Sequence, residues 1–175
     1  MSRFDVVNII LATESMLIEL IQFLQQPKID HAFIRPLSER DVSIRDRVYR
    51  IYQSGFWLVA LCNGKVIGCR GCKGIIDKQY GILEFSTTVV DSVFRGVGLA
   101  TLLFQQGVKI AYTRYRPSVM KLDSWSTNKA VERIVLKLGF SKNRVYDDSE
   151  KRLPGMQSVE YILDCTKIHR YFCIA

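Results

Sequence analysis

The chain has 175 residues, of which 48% are hydrophobic and 24% are charged. This length and composition are typical of one folded globular domain with a sizeable core. No run of about 18 or more apolar residues is present, which excludes a membrane-spanning helix. Residues 1–5 lack the basic start and long apolar stretch of a secretory signal. We therefore expect a soluble cytoplasmic protein that does not associate with a membrane.

The formal net charge of +8 points to an anionic partner. Such a partner is either a nucleic acid or an anionic cofactor or substrate held in a groove. The basic residues are scattered between Lys65 and Arg144, without a consecutive basic block or a run interleaved with aromatic residues. An RNA-binding strand would show such a run, so the sequence does not favour a nucleic-acid partner.

Five cysteines are present, and their spacing suggests no disulfide framework. Cys69-Arg70-Gly71-Cys72 has the CxxC form, but a zinc site needs further ligands and the two histidines lie far away in sequence. A redox pair would sit at the start of a helix, whereas this stretch has the pattern of a strand. We expect the cysteines to be small buried thiols and expect no metal site.

The N-terminal third mixes one ambiguous segment with two helical patterns. Val6–Leu11 fits either a strand or the start of a helix. Apolar residues then recur at helical spacing from Met16 to Leu24, and Pro27 is predicted to stop that helix. Ala32–Arg35 predicts a brief strand, and Ser38–Asp41 resembles a helix entry. The amphipathic helix that follows has apolar positions at Val42, Ile44, Val48 and Ile51 and is punctuated by Gly55.

Strands dominate the centre of the chain and alternate with helices towards its end. The dipeptide Asn63-Gly64 is a strong signal for a two-residue hairpin turn, and Gly139 is predicted to cap the last helix in a left-handed conformation. In chain order, the pattern predicts strands at Phe56–Cys62, Lys65–Gly71 and Tyr80–Val90, a helix over Leu99–Ala111, a strand at Val119–Trp125, a helix over Asn128–Leu138, and strands at Arg144–Asp147 and Val159–Leu163. These elements indicate an α/β fold in which helices pack on a mixed sheet.

The most informative stretch leads from the strand ending at Val90 into the helix beginning at Leu99. Its loop contains Gly96 and Gly98, and glycines allow the backbone to approach a ligand closely. The first amides of a helix have no partner within the helix, and the helix dipole favours an anion there. The loop therefore predicts a phosphate or pyrophosphate site, although a plain tight turn would use the same glycines.

Two motifs in this part of the chain resemble those of the GNAT acetyltransferases. Arg95-x-x-Gly98-x-Ala100 is similar to the family's (Arg/Gln)-x-x-Gly-x-(Gly/Ala) signature. Asn128, with the helix ending Leu138-Gly139-Phe140, resembles the second signature, and one helix and one strand separate the two. The resemblance implies a single domain over residues 1–175 with a mixed, mostly antiparallel central sheet flanked by about four helices. Upstream, Phe33–Asp41 resembles the family's usual first strand and helix entry, which would make roughly the first thirty residues an N-terminal extension.

The resemblance implies acetyl-CoA as acyl donor and assigns residues to it. Val89 and Val90 would offer backbone groups to the pantetheine arm, and Asn128 would hydrogen-bond the same arm from the neighbouring helix. The amides that would hold the pyrophosphate belong to Arg95, Gly96, Val97, Gly98, Leu99 and Ala100. No metal is implied.

Glu84 is the candidate general base. Alternation along the strand places Glu84 and Ser86 on one face and Leu83 and Phe85 on the other. A carboxylate within an otherwise apolar strand is costly unless it is solvated, paired or used. Because an amine is mostly protonated at neutral pH, its attack on a thioester requires the loss of a proton. A glutamate on a wet sheet face or in an ion pair is the alternative interpretation.

The candidate general acid is a tyrosine from a neighbouring strand. Many relatives carry a tyrosine four residues before the glycine of the Gly-Phe ending, where this chain has Val135. Tyr146 is our candidate for this role, with Tyr161 or solvent as alternatives. Direct aminolysis of a thioester depends mainly on positioning and on a carbonyl polarised by backbone amides, so the substitution does not preclude activity.

The resulting hypothesis is an N-acetyltransferase that transfers an acetyl group to a primary amine by direct attack in a ternary complex. The acceptor is either a small molecule or a protein amine, since a fold does not fix the acceptor. The alternative is a catalytically silent acetyl-CoA-binding regulator, which Val135 favours and Glu84 opposes. The apolar ending Tyr161–Ile174 either packs on the sheet or forms a homodimer contact.

Overall fold

The computed structural model describes residues 6–30, 43–148 and 155–166. Within these residues, seven strands form one sheet: β1 (Val7–Leu11), β2 (Phe56–Cys62), β3 (Lys65–Asp77), β4 (Ile82–Val90), β5 (Val119–Trp125), β6 (Ser141–Asp147) and β7 (Gln157–Asp164). The helices are α1 (Leu17–Leu24), α2 (Pro27–Asp30), α3 (Ile44–Ser54), α4 (Leu99–Tyr115) and α5 (Lys129–Lys137). In these parts of the chain, no helix combines the length and apolar character needed to cross a membrane.

The sheet has the strand order β1-β2-β3-β4-β5-β7-β6. β4 and β5 run parallel, whereas the other neighbouring strands run antiparallel. This arrangement confirms the prediction of a mixed, mostly antiparallel sheet. The described residues contain five helices rather than about four, because the short α2 adds one.

The predictions from turn chemistry and strand alternation are confirmed at the centre of the sheet. β2 and β3 pair antiparallel through a turn in which Asn63 and Gly64 have φ values of 49° and 75°. Both positive angles are those that a type I′ hairpin turn requires. Strand β5 has the predicted bounds, and Gly139 has φ 89° after α5, as expected for a left-handed cap.

The N-terminal predictions need correction. Val7–Leu11 is a strand that pairs with β2, and α1 buries Leu17, Leu20, Phe23 and Leu24. Residues 7–24 therefore contribute to the sheet and the core, and the expectation of an N-terminal extension is wrong. Pro27 begins α2 instead of only ending α1, because the first position of a helix needs no amide hydrogen.

Helix α3 begins later than the sequence suggested. Ser43 is its N-cap, with Oγ accepting a hydrogen bond of 3.0 Å from the backbone N–H of Asp46. The side-chain oxygen thus satisfies an amide that has no partner within the helix. The predicted strand at Ala32–Arg35 and the predicted helix entry at Ser38–Asp41 lie outside the described residues, as does the apolar ending from residue 167 onwards.

Helices cover both faces of the sheet, and the sheet separates the core into two clusters. On one face, α4 and α5 bury Leu103, Val108 and Val135 together with strand residues such as Leu83 and Met120. On the opposite face, α1 and α3 bury a cluster that includes Leu20, Val48 and Trp57. Each such side chain contributes about 1.5–3 kcal/mol when it is fully buried. These two layers cover β4 from both sides.

Strands β4 and β5 diverge soon after they meet. They pair only from Ile82 to Glu84 and from Val119 to Lys121, although β4 continues to Val90 and β5 to Trp125. On the other edge of β4, the register with β3 shifts by one residue between Phe85 and Thr88. Because a bulge bends the strand that carries the extra residue, this shift accompanies the departure of β4 from β5. Beyond Glu84 and Lys121 the edges of the two strands are no longer paired with each other, and we name the gap between them the cleft.

Candidate active site

The cleft between β4 and β5 is bordered by strand edges. Val89 and Val90 lie on the β4 side, where their backbone pairs with Cys69 and Gly68 of β3 on the opposite edge. Their side chains are buried in the two core clusters. At this edge of β4 the backbone groups of Val89 and Val90, and not their side chains, are therefore the groups available to a ligand.

The glycine loop lies directly beyond the end of β4. Gly96 has φ 81°, and Gly98, the N-cap of α4, has φ 87°. A Cβ atom built at either position would meet no heavy atom within 4 Å, so open space lies next to the backbone at both. The positive φ at both positions favours glycine, and the open space leaves the backbone accessible.

The start of α4 suits an anionic ligand. Gly98 provides no side-chain cap for the first amides of the 17-residue helix, and no acidic residue lies in its first turn. The backbone of Val97, Leu99 and Ala100 belongs to this same end of the helix, where the dipole favours a negative charge. Open space, unblocked amides and favourable potential together fit a phosphate or pyrophosphate group.

Arg95 fastens the loop to the strand before it. Its Nε donates a hydrogen bond of 3.1 Å to the carbonyl oxygen of Val90. Upstream, Asp91 accepts a hydrogen bond of 3.2 Å from the N–H of Val93 and pairs with Lys28 of α2 at 2.6 Å. These contacts hold the loop at the end of the cleft from both sides of its first turn.

Asn128 lies beyond the opposite border of the cleft, after the end of β5. It is the N-cap of α5, and its Oδ1 accepts a hydrogen bond of 3.2 Å from the N–H of Val131. The cap occupies the carbonyl oxygen and fixes the direction of the side-chain amide. Asn128 therefore stabilises the start of α5 whether or not it also contacts a ligand.

Glu84 lies where the pairing of β4 and β5 ends. Its alternation is as predicted, since Leu83 and Phe85 are buried whereas Glu84 is partly exposed. Oε1 of Glu84 accepts a hydrogen bond from Nζ of Lys73, and Oε2 lies 3.7 Å from Nζ of Lys121. The carboxylate is thus contacted by two ammonium groups.

Strands β5 to β7 extend this polar face beyond Glu84. Lys121, Asp123 and Glu160 lie on it, because Lys121 is opposite Glu84 and Asp123 is opposite Glu160 in the sheet. Sequence reasoning missed Asp123, although the alternation of buried Met120 and Leu122 with polar neighbours carries the same signal that identified Glu84. We name Glu84, Asp123 and Glu160 the carboxylate face.

Tyr146 of β6 donates a hydrogen bond to the carboxylate of Asp123. Burial, and then the negative charges of Asp123 and Asp148, raise the pKa of Tyr146 to about 12. An ordinary thiol has a pKa of about 8.5, so proton transfer from Tyr146 to a thiolate would be uphill while Asp123 is ionised. In that state Tyr146 orients Asp123 rather than supplying a proton.

Tyr161 and Val135 belong to the core. Tyr161 is 1% exposed and faces the α4 and α5 side of the sheet, opposite the carboxylate face. Val135 is fully buried in the same cluster. Neither side chain reaches the polar end of the cleft, so Tyr146 is the tyrosine that the fold brings to the carboxylate face.

The cysteines in the described part of the chain are buried and free. Burial raises the pKa of Cys69 to about 12 and that of Cys72 to about 11. Such thiols are poor nucleophiles and poor metal ligands. Across residues 6–30, 43–148 and 155–166, no group of three or more His, Cys, Asp or Glu side chains is arranged to hold a metal ion.

Comparisons with known proteins agree with this geometry. Residues 19–140 match the model of the acetyltransferase (GNAT) family, whereas a search of curated protein sequences finds no significant match. A GNAT-family acetyltransferase from Streptococcus pneumoniae is 15% identical, with a TM-score of 0.73 over 90% of this chain and 98% of that one. The ribosomal-protein-alanine N-acetyltransferase of Brucella melitensis is 19% identical, with a TM-score of 0.73 over 90% and 99% of the two chains.

A third similar structure carries a bound ligand. It is a protein from Salmonella typhimurium solved with its cofactor acetyl-CoA, 20% identical, with a TM-score of 0.71 over 91% of this chain and 94% of that one. At these identities the structures establish a shared fold, and the family model covers well over half of the chain. The chain is therefore an acetyltransferase of the GNAT family.

Proposed function

We propose that this enzyme is an N-acetyltransferase that transfers the acetyl group of acetyl-CoA to a primary amine by direct attack in a ternary complex. The observation that carries the proposal is the cleft between β4 and β5, which leads to the unblocked N-terminus of α4. An extended ligand with an anionic group at one end fits this combination of strand edges and helix amides.

The proposal assigns the donor's contacts to backbone groups. The amides from Arg95 to Ala100 hold the pyrophosphate, supported by the open space at Gly96 and Gly98. Val89 and Val90 offer their backbone to the pantetheine arm, and the side-chain amide of Asn128 binds the same arm from the other border of the cleft. Acetyl-CoA supplies the activated acetyl group, and the residues of the chain position it.

The carboxylate face supports an amine as the acceptor. A protonated amine is attracted to carboxylates beside the divergence of β4 and β5, and one of them can remove its proton. Glu84 is the base that the sequence suggests, and Asp123 is a second candidate on the same face. A protein that only bound acetyl-CoA would not need an exposed carboxylate such as that of Asp123 at this place.

The proposed acceptor is the primary amine of either a peptide or a small molecule. The similar Brucella melitensis protein is named for the acetylation of an alanine of a ribosomal protein. An alanine-terminated peptide is therefore the first acceptor to test for this chain, and an amino sugar is a matched small-molecule amine.

The test is acetyl transfer measured by mass spectrometry and by release of the free thiol. Purified protein is incubated with acetyl-CoA and either a hexapeptide beginning with alanine or glucosamine. We expect enzyme-dependent acetylation of one of these amines, and Gly98→Ala is expected to weaken it. Gly64→Ala is the control, because Gly64 also has a positive φ and open space but lies in the β2–β3 turn. Acetyl-CoA binding without transfer to any amine would favour the regulator instead.

A further inference from the structure

The three side chains of the carboxylate face have different partners. Glu84 is contacted by Lys73 and Lys121 and is 16% exposed. Glu160 is 7% exposed, and its carboxylate lies 3.2 Å from Nε of Arg144 and 3.4 Å from Nζ of Lys121. Burial raises the pKa of Glu160, but the hydrogen bond from Asn143 and the charges of Lys121 and Arg144 outweigh it and lower the pKa, so Glu160 accepts a proton poorly. Both carboxylate oxygens of Glu84 already face ammonium groups.

Glu160 has a further fixed contact. Its Oε1 accepts a hydrogen bond of 2.7 Å from the side-chain amide of Asn143. With three neighbouring donors and little exposure, Glu160 is a structural anchor between β7 and β6. Its carboxylate oxygens are therefore already engaged by groups of the protein.

Asp123 differs from both in exposure and in partners. It is exposed, whereas Met120 and Leu122 of the same strand are buried. Among the described residues, no lysine or arginine nitrogen lies within salt-bridge distance of its carboxylate. Tyr146 donates a hydrogen bond to it. Asp123 is thus oriented by a neutral donor and remains accessible.

Its place in the sheet is also distinctive. The pairing of β4 and β5 ends at Glu84 and Lys121, and Asp123 is the next residue of β5 on the same face. It therefore lies where the two strands separate, beside the cleft proposed to hold the thioester. Glu84 lies at the last paired position, beneath its lysine partners.

We propose that Asp123, rather than Glu84, accepts the proton of the attacking amine, and that Tyr146 is its positioning residue. This inference rests on the proposed function. One proton moves from the ammonium group to an Asp123 carboxylate oxygen and is later released to solvent. The freed lone pair of the amine forms the C–N bond, the C–S bond breaks, and the second proton of the nitrogen goes to the departing sulfur. The products are the N-acetyl amide and free CoA.

The charges around Asp123 fit this role. Partial desolvation by its neighbours raises the pKa of Asp123, Tyr146 lowers it by hydrogen bonding, Glu84 and Glu160 raise it by repulsion, and Lys121 lowers it. The balance is a pKa above the ordinary value for aspartate, which brings the group closer to the pH at which it must take up a proton. These neighbours lie on β4, β5, β6 and β7, so variants on each strand move the pKa in a known direction.

The test compares pH profiles of kcat/KM for acetylation of the alanine-terminated hexapeptide and of glucosamine. We expect Asp123→Asn to lower kcat by about 100-fold or more, with unchanged acetyl-CoA affinity in a calorimetric titration. In these profiles, kcat/KM falls on the acidic side, the acidic limb, as Asp123 becomes protonated. Glu84→Gln removes a charge that repels the Asp123 carboxylate and should shift the acidic limb to lower pH. Tyr146→Phe removes a stabilising donor and should shift that limb to higher pH. Asp77→Asn, at the far end of β3, is the control.

Each outcome decides the proposal. Opposite shifts for Glu84→Gln and Tyr146→Phe, together with loss of the acidic limb in Asp123→Asn, would support it. An Asp123→Asn enzyme that keeps the wild-type kcat and profile would overturn it, as would a Glu84→Gln enzyme that alone loses the limb. Wild-type protein that binds no acetyl-CoA or transfers nothing to either amine would instead remove the proposed function itself.

Discussion

Gly107 in the middle of α4 packs closely against a buried arginine, Arg70 of β3. Arg70 of β3 is 1% exposed, and its guanidinium lies over the rings of Phe85 and Phe104, with Cζ at 4.1 and 3.6 Å from their centroids. Nη1 donates a hydrogen bond of 2.7 Å to Oγ1 of Thr88, whereas Nε and Nη2 have no partner among the described residues. Burial lowers the pKa of Arg70 to about 9, so it still carries a charge at neutral pH.

The substitution Gly107→Ala sets two effects against each other. Alanine favours the helix by about 1 kcal/mol over glycine. Its Cβ, however, would lie 2.9 Å from Nε and 3.0 Å from Cδ of Arg70, which cannot move freely between two rings. Overpacking of this kind costs about 1–3 kcal/mol, which outweighs the helix gain when Arg70 and the two rings resist displacement. We expect a net loss of about 1–2 kcal/mol in the free energy of unfolding.

The assay is urea and thermal unfolding of a double-mutant cycle. Gly107→Ala alone should lower Tm by roughly 2–8 °C, and the exposed neighbour Gln106→Ala should change it little. In an Arg70→Met background the side chain is flexible and uncharged, so Gly107→Ala should become neutral or stabilising. The reasoning would be refuted if Gly107→Ala were as stable as the wild type or more stable, and if the substitution had the same effect on stability in the Arg70→Met background.

Two further substitutions test the ends of the cleft. Asp91→Asn keeps an acceptor for the N–H of Val93 but removes the charge that pairs with Lys28, and it should cost about 1 kcal/mol at neutral pH. Burial opposes ionisation of Asp91, but hydrogen bonds from Lys28 and Val93 outweigh it and lower its folded pKa. The stability from this ion pair is therefore present above the ordinary aspartate pKa and is lost as the pH falls through the pKa of Asp91 in the folded state. The stability deficit of Asp91→Asn in urea unfolding should accordingly vanish in acid. A deficit that does not change with pH would contradict this prediction. Asn128→Ala should lower the free energy of unfolding by about 1 kcal/mol, because the helix loses its cap. Asn128→Ser should restore this stability. If the side-chain amide binds the donor, serine should not restore the acetyl-CoA affinity measured by calorimetry, and full recovery of that affinity would show that only the cap matters.

Local chemistry made much of the fold predictable. Asn63 and Gly64 favour the positive φ angles that the hairpin turn requires. The alternation of apolar and polar residues along Val119–Trp125 identifies that strand without reference to its neighbours. Gly96 and Gly98 indicated from the sequence that the loop before α4 uses backbone angles that favour glycine. The N-terminal strand at Val7–Leu11 was ambiguous because five apolar-rich residues fit either a strand or a helix until β2 is seen to pair with them.

Features that depend on non-local contacts were not predictable. The pairing of Tyr146 with Asp123 joins β6 to β5 across the sheet, and no sequence spacing indicates it. The lysines on Glu84 come from β3 and from the parallel neighbour β5. The position of Glu84 followed from its own strand, whereas its surroundings required the whole topology.

The most direct test of the central claim is a calorimetric titration of acetyl-CoA into the native protein, Gly98→Trp and Gly64→Trp. Both glycines have a positive φ and open space around a built Cβ, so the two substitutions impose similar strain. The account predicts binding by the native chain and by Gly64→Trp, and none by Gly98→Trp, in which the ring fills the space before the α4 amides. No binding by the native protein at about 1 mM acetyl-CoA, or equal binding by all three, would contradict the proposed site.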